Sequence, residues 1–506
     1  MVGKGYTATE PNKWLNLGAL LTQSLPSASY GEKRQDVTIS MNASTKISTK
    51  PSARPKTAAV RRLAPAPRTR AINSDVPIFI GFIVLVATGV WAVNGGWDEV
   101  VGGWSHLWRA SASLSGIWTT IAALTGLLLA ARLPWMERSA GLDRILIWHR
   151  MAGDTMGVML GVHVFTSVMA EMPLRGGLVS TVKDMIGRES YMGMASIGAL
   201  IVAVVVVSSL KNVRNRLSYE TWYLLHLSAY VGVIISYSHT ITLGSLLSGD
   251  RLIRYMWGIF FAYVLVLVVL ARWSSVIHAI RKPLTVVEVQ RETEDTVSVV
   301  LGGSHITNYS GEAGQFITVR MLKRGTWWKS NPYSLSAAPT TAGMRITVKD
   351  RGDASAATFR LKRGDKVAVE GPYGIATPDI FDGSRPLLIA GGVGVTPVRA
   401  MLECLPKGSQ PLVLLRARKV DEIPHYKEIC DLTEARGGEV RLVLGRTAQL
   451  KSRDPFAPKI LHSLVPNLTN CVAFVCGPTS LTFAARKGLR EAGLAPSRIH
   501  LELPWW

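Results

Sequence analysis

Four histidines, His149, His163, His226 and His239, lie in two hydrophobic runs, 144–170 and 217–240. Each run is long and apolar enough to cross a bilayer as a helix. A ligating side chain at membrane depth is costly to keep, so four of them point to function. His149 and His163 are fourteen residues apart, which places them roughly 40° apart in azimuth and about 21 Å apart along a helix axis. One imidazole for each of two stacked haems fits that spacing. His226 and His239 are thirteen apart, an azimuth difference of roughly 140°. A tightened last turn or a kink near His239 is expected to re-aim its ring. Histidines hydrogen-bonded to neighbouring helices are the plainer reading, but two pairs at matched depth favour haem ligation.

Six spans position these residues, at about 76–94, 112–132, 144–170, 191–210, 217–240 and 254–277. Arg132, Arg138, Arg144, Lys211, Arg214, Arg216, Arg272, Arg281 and Lys282 fall on one side of them, which marks that side as cytoplasmic. The third and fifth spans then run in the same direction, pairing His149 with His226 near the inner face and His163 with His239 near the outer face. The outward connections, 95–111, 172–190 and 241–253, look too short to build a thick external cap. His106 and His278 read as interfacial residues without partners at matched depth. Arg144, Arg150 and Arg216 serve either as topology signals or as partners for haem propionates, and the sequence leaves both open.

The chain has 506 residues, a net charge of +22 and 48% hydrophobic residues, a balance that suits a basic membrane protein. Residues 1–73 hold twelve Lys or Arg against three acids and no sustained apolar period, and read as a disordered cytoplasmic tail. Such a tail is expected to meet anionic lipid rather than nucleic acid. No short apolar segment with a small-residue cleavage site stands near the start.

From about residue 283 the pattern changes to short β-rich runs, 284–290, 297–301, 315–321 and 344–348, which read as a small antiparallel barrel. Asn331-Pro332-Tyr333-Ser334 offers an aromatic ring beside hydroxyls, suited to a flavin. Gly352 and Ser355 stand where a short helix is expected to begin near Ala354, and could receive a pyrophosphate. Gly371-Pro372-Tyr373-Gly374 reads as a tight turn.

From about 384, strands and helices alternate as in a parallel α/β sheet. The strand 386–390 runs into Gly391-Gly392-Val393-Gly394-Val395-Thr396-Pro397. Thr396 is expected to cap the helix and Pro397 to open it, with the glycines admitting a dinucleotide pyrophosphate. Arg416 and Arg418 after the next strand favour a ribose 2′-phosphate, hence NADPH over NADH; a solvated loop is the alternative. The strand 471–476 ends at Cys476-Gly477-Pro478. Cys404, Cys430, Cys471 and Cys476 form no C-x-x-C pair, as expected of a reduced cytoplasmic domain.

The order Asn-Pro-Tyr-Ser, Gly-x-x-Ser, Gly-Pro-Tyr-Gly, Gly-Gly-x-Gly-x-Thr-Pro and Cys-Gly-Pro resembles the ferredoxin–NADP reductase-like flavoprotein domain. Behind a bundle with two di-histidine helices, residues 112–506 as a whole resemble the ferric reductase and NADPH oxidase superfamily, in its bacterial form. The fourteen-and-thirteen histidine spacing is itself a feature of that family. The resemblance implies a six-helix di-haem transmembrane domain at 74–282, an FAD-binding β-barrel at 283–383 and an NADPH-binding α/β domain at 384–506. It implies that His149, His163, His226 and His239 bind the iron of two b-type haems. Tyr333 and Ser334 would meet FAD, with Gly352 and Ser355 at its pyrophosphate. Gly391, Gly392, Gly394 and Thr396 would cradle NADPH, and Gly477 and Pro478 would shape the nicotinamide pocket. Cys476 would lie near the hydride transfer, and either Trp505 or Trp506 over the flavin, after Glu502. The expected activity is electron transfer from cytoplasmic NADPH to an external acceptor, ferric chelate or oxygen, by a multi-pass protein of the cell membrane with both termini inside. The alternative is a haem-free, membrane-anchored flavin reductase serving a soluble partner.

Overall fold

The computed structural model describes residues 60–65, 75–188, 191–243, 251–323, 329–446 and 454–502. Among them six helical spans are long and apolar enough to cross a membrane, Asp75–Val101, Trp104–Ala130, Arg144–Arg175, Met192–Ser209, Tyr219–Ile241 and Arg251–Arg281. The helices used below are α1 (Asp75–Trp91), α2 (Trp104–Ala130), α3 (Pro134–Ala140), α4 (Leu142–Arg175), α5 (Leu178–Arg188), α6 (Met192–Ser209), α7 (Tyr219–Leu243) and α8 (Arg251–Arg281). Leu124, Leu127, Leu129, Ile145, Val233, Phe261 and Val268 pack between them, while Leu85, Val158, Leu200 and Ile259 face outward, as a lipid-facing surface requires.

Two expectations change here. The connection around 172–190 is built as α5, whose Val182, Met185 and Ile186 line a cavity against the bundle. Its residues alternate apolar and polar at helical spacing, a pattern hidden by the shortness of the stretch. The second change concerns α7, which runs unbroken past His239, so no kink re-aims that ring.

The barrel strands are β1 (Leu284–Thr293), β2 (Thr296–Gly302), β3 (Phe316–Met321), β4 (Ser330–Ser334), β5 (Met344–Lys349) and β6 (Lys366–Tyr373), with α9 (Asp353–Phe359) before the last. Their order is β4-β3-β6-β1-β2-β5, all antiparallel. The two edges meet where Leu335 bridges Ile346 and Ser336 N–H donates to the Arg345 carbonyl at 2.8 Å, which removes exposed edges. Inward Leu284, Val299, Leu301, Ile317, Leu335 and Ile346 fill the interior.

The parallel sheet holds β7 (Arg385–Gly391), β8 (Leu412–Ala417), β9 (Glu439–Leu444), β10 (Cys471–Cys476) and β11 (Ile499–Glu502), in the order β11-β10-β7-β8-β9. Helices α10 (Val395–Cys404), α11 (Tyr426–Glu434), α12 (Pro458–Leu464) and α13 (Thr479–Glu491) cover it. The strand order reverses direction between β7 and β10, the crevice where ligands of doubly wound sheets sit.

Part of the expected disordered tail is ordered. Thr341 N–H donates to the Arg61 carbonyl at 2.8 Å, Leu63 N–H to Pro339 at 3.1 Å, and Gly311 N–H to Ala64 at 3.0 Å. Leu63 is buried in the barrel core, and Arg62 Nη2 donates to the Glu403 carbonyl at the end of α10. The segment 60–65 therefore straps the barrel to the nucleotide-type domain; the rest of 1–73 lies outside the described residues. Composition missed it because one leucine between arginines carries no periodicity. Leu63→Asp removes a burial worth about 2 kcal/mol and strands a charge, so trypsin cleavage at Arg61 and Arg62 is expected to accelerate at least about tenfold. Unchanged cleavage would count against the strap.

Candidate functional site

The histidines pair level with level, as expected. His149 and His226 have ring centroids 5.8 Å apart, and His163 and His239 are 6.1 Å apart. Two metal–nitrogen bonds of about 2 Å and two ring half-widths of about 1 Å add to about 6 Å, so each pair is spaced as two imidazoles that would hold one metal ion between them. The donor chemistry agrees. His149 Nδ1 lies 2.8 Å from the Gly126 carbonyl and His163 Nδ1 2.8 Å from that of Ala112. A carbonyl only accepts, so in both rings Nδ1 carries the proton and Nε2 keeps its lone pair. A Cβ on Gly116 would come within 3.0 Å of the His163 ring, which explains a glycine there. Both rings on α7 reach their partners on α4 despite the roughly 140° offset expected of an ideal helix.

Around His163 and His239 a cavity of about 780 Å³ opens, with Arg109, Glu171 and Arg175 among its lining. Arg175 Nε donates to Glu171 at 3.1 Å. Arg109 lies one turn from Ala112 and drew no notice in the sequence, since only the cavity links it to His163.

The barrel docks on the end of the bundle nearer His149. Glu137 on α3 accepts from the Gly374 N–H at 2.7 Å, and Arg132 lies 5.5 Å over the Tyr373 ring. Leu142 packs with Phe316 and Tyr373, while Arg320 and Arg272 both reach Glu370, at 3.2 and 3.8 Å. The turn Gly371–Gly374 is thus a docking element. Lys329 Nζ meets Glu220 on α7 at 2.7 Å.

Three strand ends converge at the crevice. Ser334 Oγ donates to Glu502 Oε1 at 2.6 Å, and Glu502 stands beside Cys476 in register on β11 and β10. Burial, then the Glu502 charge, pushes the Cys476 thiol well above its usual range, so it is held as a thiol. Glu502, which the sequence reading used only as the landmark before Trp505 and Trp506, completes a Ser–Glu–Cys cluster. Tyr333 hydroxyl and Thr358 Oγ1 are 2.8 Å apart, and burial pushes the phenol up to about 12. Trp505 and Trp506 lie outside the described residues.

At the turn after β7, Gly392 has φ +57°, and a Cβ on Gly394 would strike the Cys476 carbonyl and lie 2.6 Å from Gly477 N. This turn is closed against Cys476-Gly477-Pro478. Thr396 is not the cap: a 3₁₀ turn at Gly392–Gly394 begins the helix earlier, and the Thr396 hydroxyl donates to the Val393 carbonyl at 2.8 Å. Pro397 accordingly sits within the first turn rather than opening it. Arg416 Nη1 is turned to the carbonyls of Ala417, Val443 and Gly445, so it braces two loops, while Arg418 is exposed. Ser355 Oγ accepts from Arg351 N–H at 2.6 Å beside Gly352, the residue before α9, which begins at Asp353, where a short helix was expected near Ala354. Gly394→Ala is expected to weaken NAD(P)H binding at least about tenfold; equal affinity measured by titration would refute a tight approach there.

Residues 115–237 match the family described as ferric reductase like transmembrane component, a stretch that includes His149, His163 and His226. This match, together with a reductase part behind it, fits the architecture of the ferric reductase and NADPH oxidase superfamily. This is a multi-pass, NAD(P)H-dependent oxidoreductase architecture, with the reductase part similar to known flavoprotein components. The ferredoxin reductase component of 3-ketosteroid-9-alpha-monooxygenase from Mycolicibacterium smegmatis is 31% identical over 232 residues, covering 44% of this chain and 64% of that protein. Sulfhydrogenase 2 subunit gamma of Pyrococcus furiosus is 26% identical over 213 residues, covering 39% and 73%. The FAD/NAD binding domain of a nitric oxide dioxygenase from Vibrio cholerae aligns at 23% identity and a TM-score of 0.38, over 44% of this chain and 98% of that structure. The chain thus spans about two thirds of the length of the two curated relatives.

Proposed function

We propose that the chain moves electrons from cytoplasmic NADPH through FAD and two b-type haems to an acceptor outside the membrane. The observation that carries this is the pair of facing imidazole couples, 5.8 and 6.1 Å between centroids, stacked in a bundle whose near end docks the barrel. Similarity to a ferredoxin reductase component supports the flavin and nucleotide assignments. Bound FAD supplies the exchange between a hydride and single electrons, and haem a one-electron carrier at each histidine pair.

The chain's residues do the rest. Tyr333 and Ser334 hold the flavin, with Gly352 and Ser355 at its pyrophosphate. The turn Gly391, Gly392 and Gly394 admits the nucleotide, Thr396 pins that turn through Val393, and Gly477 and Pro478 bound the nicotinamide side. Arg418, braced by the loops that Arg416 ties, meets the 2′-phosphate, which favours NADPH. Glu502 holds the Ser334 hydroxyl in one orientation, and the buried Cys476 keeps its proton. His149 with His226, then His163 with His239, hold iron along the path outward, while Glu137, Glu370 and Tyr373 fix the barrel against it. The acceptor is a ferric chelate or oxygen, reduced at the His163–His239 end of the path, where the cavity between the two rings is the space a haem would take. Each electron carried outward moves with an inside-negative potential, worth about 2.3 kcal/mol per 100 mV, so the reaction is electrogenic.

The test is reconstitution in liposomes with NADPH at the dehydrogenase face and a membrane-impermeant ferric chelate at the other, with superoxide measured in parallel. Reduction across the membrane supports the proposal. Rapid flavin reduction with none across the membrane would leave a membrane-anchored flavin reductase.

A further inference from the structure

We propose that Trp222, backed by Arg214, is a positioning residue that fixes the His226 ring and tunes the potential of the haem it shares with His149; this rests on the ligand reading above. The ligand histidines are not held alike. His149 and His163 each give Nδ1–H to a main-chain carbonyl at 2.8 Å, a short bond to a rigid acceptor. Nδ1 of His226 instead meets the Ser209 hydroxyl at 3.3 Å, a long contact to a group that can rotate. That same hydroxyl receives Trp222 Nε1–H at 3.4 Å. Hydrogen bonding alone therefore orients this ring weakly.

Stacking makes up the difference. Trp222 precedes His226 by four residues on α7, where side chains lie over one another. Its indole covers the imidazole with centroids 4.9 Å apart and planes 25° apart. On the indole lies the Arg214 guanidinium, 4.6 Å from the ring centroid, with Nη1 donating to the Leu217 carbonyl at 3.3 Å. The cation is attracted to the indole face. The resulting order, Arg214, Trp222, His226, clamps the ring plane that a shared iron requires. It also puts a fixed positive charge in line with the ligand, which favours the reduced state of that iron and raises its potential.

The experiment uses the full chain purified with haem, comparing wild type with Trp222→Leu, Trp222→Phe and Arg214→Gln. Haem per chain, the low-spin absorption bands and a redox titration are the readouts. Trp222→Leu is expected to lower haem from two per chain toward one, whereas Trp222→Phe keeps the stack and both haems. Arg214→Gln is expected to keep both haems and lower the potential of one only. Two haems with unchanged bands in Trp222→Leu, or unmoved potentials in Arg214→Gln, would overturn the proposal while leaving the ligands standing. A wild-type protein without haem would instead overturn the ligand reading itself.

Discussion

Replacing His163 and His239 together by alanine is expected to remove the haem farther from the barrel and cut external reduction to background, a fall of at least about 100-fold. Flavin reduction by NADPH should persist at the wild-type rate. The separation follows from the structure. The flavin motif, Glu502 and the nucleotide crevice all belong to the barrel and the parallel sheet. The His163–His239 pair lies beyond the His149–His226 pair along α4 and α7. Removing both ligands leaves the docking contacts of Glu137, Arg132 and Glu370 intact. External reduction that survived both changes would refute the ligand assignment, and loss of flavin reduction would mean the two halves are not independent.

The second large effect is expected at the crevice. Ser334→Ala deprives the Glu502 carboxylate of its 2.6 Å donor. A hydrogen bond to a charged group contributes about 1.5–3 kcal/mol, or roughly ten- to hundredfold in rate where the pair orients the reacting partners. Stopped-flow flavin reduction should slow by that factor, and Glu502→Gln should slow it similarly while keeping the bond's geometry. Haem content and the dithionite-reduced spectrum should not move. A Ser334→Ala protein reduced at the wild-type rate would show the cluster to be structural only.

Much of this was legible in the sequence because the signals were periodic or local. Apolar runs gave the six spans, alternating β-branched residues the barrel, and Gly391–Gly394 the nucleotide turn. The histidine pairs were readable because membrane depth makes a polar side chain expensive. What escaped depends on contacts between residues distant in the chain. Glu502 gains its meaning only when β11 brings it beside Cys476 and within reach of Ser334. The Leu63 segment matters because Pro339 and Gly311 offer it hydrogen bonds. Thr396 was misread because a 3₁₀ turn moved the helix start upstream, and the carbonyls of Ala417, Val443 and Gly445 that Arg416 Nη1 meets were not readable because two of them lie far along the chain. Trp222 drew no notice in the sequence, and only the contact of its ring with His226 gives it a role.

The most direct test of the electron path is a dithionite-reduced minus oxidised absorbance spectrum of the purified chain, with haem quantified as the pyridine haemochrome. Two low-spin b-type haems per chain are the predicted result. Protein made with ample haem supply that carries none would contradict the account and reduce the chain to a membrane-tethered flavin reductase.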